Sequence, residues 1–187
     1  MYSIQAILDQ YFILSDESKT LIANKIVEVE LKKGTIILES DKIEKKLYFI
    51  RSGVVRAFTI NDGDEVTFWF GEEGSSIISM RSYVENKTSY ESIELLEDCI
   101  LYEIKISDLN NLYETNLEIA NWGRKLAEIE LIKTEERLIE LQLGTASDRY
   151  SKLLQNNPSI INRVKLGYIA SYLGISQVQL SRIRAGI

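Results

Sequence analysis

The chain is expected to fold as α+β: an antiparallel β-domain of sandwich or jelly-roll type, a long helix, and a compact helical end. Three observations predict this. Between Val27 and Ile104 about eight short runs alternate apolar with polar residues or are rich in β-branched and aromatic side chains. From about Asn116 to Leu143 the apolar spacing changes to three and four. The last stretch, Leu166–Arg184, reads LGYIASYLGISQVQLSRIR, two short amphipathic segments joined by Gly-Ile-Ser.

Taken in order, Ile4, Ile7, Leu8 and Tyr11 share one helical face, and Asp16 is placed to cap a second segment through Leu21, Ile22 and Ile26. The strand candidates are VEVEL, TIILE, KLYFI, VVRAFTI, EVTFWF, SIIS, SYESIEL and ILYEI. Asn61-Asp62-Gly63-Asp64 between two of them is a hairpin signal, since Asx-Gly pairs tolerate the positive φ of a tight turn. Ser107 is expected to cap a short helix carrying Leu109, Leu112 and Tyr113. In the long helix, Ile119, Trp122, Leu126 and Ile129 have coiled-coil spacing, and the apolar face then drifts to Ile132, Leu138, Ile139 and Leu141. The first four residues belong either to a subunit seam or to a core within the chain. The helix, about 28 residues, is long for one that merely covers a small sheet, which favours the seam. Gly144-Thr145-Ala146-Ser147 breaks the helix, Ser147 or Thr145 caps the next one with Tyr150, Leu153 and Leu154 on its apolar face, and Asn156-Asn157-Pro158 ends it.

In the final stretch, Ile169, Ala170 and Leu173 form the apolar face of a first helix. Gly174 ends that helix, and Ser176 stands at the N-cap of a second. Val178, Leu180 and Ile183 are expected to hold the second helix, leaving Gln177, Gln179, Ser181, Arg182 and Arg184 polar. The pattern fits a DNA-reading helix-turn-helix or an ordinary helical hairpin.

Composition narrows the functions. The chain has 187 residues, no histidine and one cysteine, Cys99, in an apolar run. Histidine metal sites, Ser-His and Cys-His nucleophile pairs, zinc fingers and iron–sulfur clusters are therefore excluded. No disulfide within the chain is possible, and no metal or other cofactor is expected. The net charge is −6, but Gly144–Ile187 carries six basic residues against one acidic, net +5, leaving −11 on residues 1–143. A basic end on an acidic body is the asymmetry of a protein that meets phosphate with one part only. MYSIQAILDQYF lacks the basic and apolar regions of a signal peptide, and no apolar run has the length of a membrane span. A cytoplasmic, bacterial-type protein with no membrane partner is the expectation.

Several segments together carry a family likeness: Lys33-Gly34-Thr35, Tyr48–Arg56, Glu65–Phe70, Arg149-Tyr150 through Leu154, and above all Tyr168–Ser176 with Leu180–Arg184. On these residues the chain resembles the Crp/Fnr family of bacterial transcription regulators, in its short, roughly 190-residue branch. The resemblance implies a cyclic-nucleotide-binding-like jelly-roll sensor over residues 1–115, a dimerisation helix over 116–143 and a helix-turn-helix DNA-binding domain over 144–187. It implies a homodimer, double-stranded DNA as partner, RNA polymerase as a further one, and no enzymatic activity. The dimer interface is then assigned to Ile119, Trp122, Leu126 and Ile129. DNA binding is assigned to Ser176, Gln177, Gln179, Ser181, Arg182 and Arg184. Only Arg182 falls where well-studied members place a base-reading arginine; Gln177 suits adenine and Val178 a thymine methyl.

The sensor departs from the family pattern. Where cAMP-binding members have Gly-Glu and Arg-Ser or Arg-Thr, this chain aligns Ile78-Ser79 and Ser89-Tyr90. Both charged anchors are gone, so cAMP and cGMP are not expected to bind. Ser79, Arg81, Tyr83, Ser89 and Tyr90 are the candidate pocket residues for another, unknown small-molecule effector, with Arg81 or Lys87 as replacement cation. The competing reading is a cavity filled by tyrosines that binds nothing. The tail after Arg184 leaves no room for a wing hairpin there and is poor in lysine. The runner-up function is a ligand- or partner-binding module whose DNA reader no longer works.

Overall fold

The computed structural model describes residues 2–186. Two helices, α1 (Ile4–Tyr11) and α2 (Asp16–Ala23), precede eight strands: β1 (Val27–Leu31), β2 (Ile36–Leu38), β3 (Lys46–Ser52), β4 (Val55–Asn61), β5 (Asp64–Gly71), β6 (Ser76–Ile77), β7 (Ser92–Leu95) and β8 (Cys99–Lys105). A short helix, α3 (Met80–Glu85), lies between β6 and β7. The chain continues through α4 (Ile106–Thr115), α5 (Leu117–Leu143), α6 (Ala146–Asn156), α7 (Ile160–Arg163), α8 (Leu166–Leu173) and α9 (Gln177–Gly186).

The strands form two antiparallel four-stranded sheets, ordered β1-β8-β3-β6 and β2-β7-β4-β5. Their facing sides share a core of Leu38, Tyr48, Ile50, Val55, Ile93, Leu95 and Leu101. The other face of the first sheet is also buried: Leu47, Phe49, Tyr102 and Ile104 pack under α1, α2, α4 and α5. This is why Leu47–Ile50 is apolar without a break, alternate residues facing different layers. The Asn61–Asp64 turn closes β4 on β5, with Asp62 and Gly63 both at positive φ as a two-residue hairpin of this type demands.

Several sequence expectations change at element ends. The cap of α2 is Ser15, whose Oγ accepts from Ser18 N–H, and Asp16 is already inside the helix, where its charge favours the first turn. Leu21 of that helix is exposed. Ser107 caps nothing: α4 starts one residue earlier, with Lys105 at its N-cap position and no side-chain cap. The segment after β6 is not all loop, because Ser79 accepts from Ser82 N–H and starts α3. Thr145, rather than Ser147, caps α6, in a reciprocal capping box with Asp148.

The largest correction concerns α5. Asn116 caps it, its side chain accepting from Ile119 N–H. Ile119, Trp122 and Leu126, assigned to the dimer interface, are buried in this chain's own core, and Ile129 packs against the same cluster. The Trp122 indole N–H donates to Leu8 O at 2.9 Å, and its ring lies edge-on to Tyr11 and Phe49. A ring with no exposed surface has nothing to offer a second subunit, so these residues tie the helix to its own barrel.

Candidate effector pocket and nucleic-acid interface

Between the β4-β5-β7 sheet and α5 lies a cavity of about 630 Å³. Its floor is apolar, from Leu47, Ala57, Ile77, Ile93, Leu109 and Leu126; Phe68, Trp69, Tyr83, Tyr90 and Tyr113 surround it with aromatic rings. The long helix contributes Ala120, Gly123, Ala127, Leu131 and Thr134. Its approach is close at Gly123, where a Cβ would stand 2.5 Å from the Tyr113 ring. Register explains how two consecutive residues, Phe68 and Trp69, both reach the cavity. Ala57 pairs with Trp69 but Phe58 pairs with Thr67, so Phe68 is the extra residue of a β-bulge. The bulge turns Phe68 inward while Thr67 and Phe70 keep to the opposite face.

Of the five residues predicted for this pocket, Tyr83 and Tyr90 line it and the other three do not. Ser79 is buried and committed to the α3 cap. Arg81 is on the solvent side of α3. Ser89 closes a local turn, its Oγ bonded to both the N–H and the carbonyl of Glu91. Lys87 pairs with Glu85 in solvent. Glu91 itself lines the cavity at 6% exposure, and its Oε2 is enclosed without a hydrogen-bond partner. Sequence reasoning missed it; the usable signal was its phase, two residues before Ile93 on the inward face of β7. Cys99 is buried between Val54 and Glu97, and burial pushes its thiol up to about 11, so it behaves as a small apolar side chain.

The helix-turn-helix is closed by its own backbone. Gly174 sits at φ 67°, ψ 36°; its N–H donates to Ser171 O, and Ile175 N–H to Ala170 O, a Schellman ending. Ser176 Oγ accepts from Gln179 N–H at 3.1 Å, the cap expected from its position. Leu180 is buried and Ile183 partly so, but Val178 is 62% exposed and does not anchor the helix. It shares the open face of α9 with Ser176, Gln177, Gln179, Ser181, Arg182 and Arg184, all exposed. Gln177 is drawn back over Gly167, where a Cβ would meet its Nε2 at 2.6 Å.

The helical end is docked on the barrel through α8 and β5. Ser171 Oγ accepts from Thr67 N–H at 2.9 Å, and Phe70 packs against Tyr172 with ring centroids 5.1 Å apart and planes inclined at 48°. Arg56 is buried between the rings of Phe58 and Tyr168, its guanidinium held by Glu65, Glu94 and Thr67. Arg163 bridges Glu73 and Glu97, and Asn157 and Ser159 hold Glu72. The basic surplus of this end is thereby divided. Arg163 serves the dock, Arg149 holds the carbonyls of Leu173 and Gly144, and Lys152 pairs with Glu140. Lys165, Arg182 and Arg184 form no ion pair among the described residues.

Comparison with known proteins agrees with this architecture. Residues 28–116 match the family model of the cyclic nucleotide-binding domain. Electron transport regulator A of Shewanella oneidensis is 25% identical, covering 88% of this chain and 73% of that protein. FixK2 from Bradyrhizobium japonicum superposes with a TM-score of 0.75 at 19% identity, over 86% of this chain and 83% of its own. A protein from Eubacterium rectale described as a transcriptional regulator of the crp/fnr family gives 0.71 at 20% identity, over 91% and 82%. No described helix is long and apolar enough to cross a membrane.

Proposed function

We propose that this chain, which carries a cyclic nucleotide-binding domain in a Crp/Fnr-type fold, is a homodimeric DNA-binding transcription regulator rather than an enzyme. The observation that carries the reading is the capped helix-turn-helix whose second helix, α9, turns a polar face with two unpaired arginines to solvent. Arg182 reads guanine through its two-pronged guanidinium, and Lys165 and Arg184 meet phosphate. The names of the relatives support regulation as the role.

The proposed dimer seam lies instead on the adjacent face of α5. Ala127, Leu131, Thr134, Leu138 and Leu141 are spaced four, three, four and three, and all are exposed in the single chain. This heptad stripe suits a parallel partner helix, which would present two α9 helices to successive turns of DNA. Ala127, Leu131 and Thr134 also line the cavity, so an occupant touches the surface on which the helices pair. The cavity holds no unpaired cation among the described residues: its one arginine, Arg124, is engaged by Glu128. A cyclic phosphodiester would lie there without a counter-charge, so the effector is of another chemistry.

Selection from a random duplex library at low salt tests the reading. The wild-type protein should enrich a two-fold symmetric site, and Arg182→Ala should bind it roughly ten-fold more weakly. Three unpaired cations per subunit limit the salt slope of log K to about −5 for the dimer. Absence of enrichment, or equal binding by Arg182→Ala, would leave a ligand-binding module with an inactive reader.

A further inference from the structure

We infer that the barrel cavity is a site for an organic cation, an ammonium group on an apolar or aromatic body. The inference rests on reading the barrel as a sensor and names the ligand class of that site. Two observations point the same way. Glu91 is 6% exposed and lines the cavity, yet Oε2 receives no hydrogen bond from the protein. A carboxylate oxygen taken out of water without a partner is costly, and natural cores rarely keep one unless something else supplies the donor. The same cavity is lined by Phe68, Trp69, Tyr83, Tyr90 and Tyr113. Electron-rich ring faces attract cations, and a cage of several with one acidic group is how proteins hold amines and quaternary ammonium ligands.

The remaining charges at the cavity do not compete for this role. Arg124 is held by Glu128 and Asn121, and Glu130 by Lys133. Glu91 is thus the one unpaired charge among the described lining residues, and its sign selects a cation. The volume, about 630 Å³, fits a drug-sized molecule, and the apolar floor of Ala57, Ile77 and Ile93 fits its hydrocarbon part. The bulge at Phe68 adds a second ring where regular pairing would give one.

Direct binding to the full chain, with no DNA present, tests this separately from DNA recognition. The probes are 2-phenylethylammonium, 2-phenylethanol and 3-phenylpropanoate, followed by titration calorimetry and by Trp69 fluorescence, with Trp69→Phe as the control for Trp122. The ammonium should bind tightest and the carboxylate weakest. Glu91→Gln, which keeps shape and fold, should cost the ammonium about ten-fold or more while leaving the alcohol unchanged. Equal affinity for the three probes, preference for the carboxylate or for cAMP, no binding at millimolar concentration, or undiminished ammonium binding by Glu91→Gln would each overturn the inference. Loss of DNA recognition with cation binding intact would overturn only the assignment of the reader.

Discussion

Trp122 separates two readings of one pattern. Apolar residues three and four apart line up on a helix whether that stripe meets a second subunit or the same chain's sheet. Sequence periodicity identifies the stripe but not what covers it, so Ile119, Trp122, Leu126 and Ile129 were legible as a face and not as a core. What decides is long-range: Leu8 supplies the indole acceptor and Phe49 a ring wall, from elements far away in sequence. Trp122→Ala should therefore destabilise each subunit by roughly 3–5 kcal/mol, seen as a lower urea midpoint. The dissociation constant of the proposed dimer under folding conditions should stay within about two-fold, since side chains with no shared partners act independently. The same limit hid Glu91. Glu91 stands just ahead of β7, two residues before the inward-facing Ile93, so its phase was readable, but its isolation follows from Ser89 bonding only its backbone. A cap bonds within three residues, so Ser176 and Thr145 act where local chemistry puts them, while the expected caps Asp16 and Ser107 fell one and two residues past the true N-cap positions.

At the scale of elements, the two halves of α5 have different surroundings. Its first half is fixed to the barrel by Ile119, Trp122 and Leu126. Its second half carries Leu131, Ile132, Leu138 and Ile139 at 54–60% exposure, more apolar surface than an isolated helix keeps in water without a partner. The drift of the apolar face along the helix is the sequence trace of this change from buried to exposed. If α5 pairs as proposed, Leu131→Glu combined with Leu138→Glu should leave the protein monomeric by sedimentation equilibrium, placing charge on both sides of the proposed seam. The far-ultraviolet circular dichroism should be unchanged, since neither side chain enters the subunit core. A dimer that survives both changes would place the interface elsewhere. The strands were legible from alternation and turns, most within a residue or two at their ends, though SYESIEL overruns β7 by three residues and SIIS overruns β6 into the cap of α3, whereas the bulge at Phe68 was not. A bulge is a relation between two strands, and nothing in EVTFWF alone marks which residue is the extra one.

Across the whole molecule, the charge split between body and tail has two consequences that the count alone conflates. Part of the positive tail faces outward on Lys165, Arg182 and Arg184, while Arg163 is turned inward on acidic groups of the barrel, Glu73 and Glu97. The dock thus fixes α8, and with it α9, relative to the barrel and the long helix. Its electrostatics are visible in Glu73: hydrogen bonding from Arg163, against a smaller burial effect, holds that carboxyl down at about 2. A carboxyl whose pKa is lower in the docked than in the undocked state stabilises docking fully above its ordinary value of 4.5, and that contribution fades as pH falls from there towards about 2. Acidification through this window should release α8 from β5 before the barrel core unfolds, because the buried contacts of the core do not titrate there. Amide exchange separates the two events: protection of Thr67 and of the α8 amides should fall between pH 4.5 and 2.5 while β3 and β8 stay protected. In Glu73→Gln the carboxyl is absent, so α8 should start less protected and change less across the same window. Equal pH profiles for the two proteins would show that Arg163 is held by Glu97 alone and that the dock does not depend on Glu73.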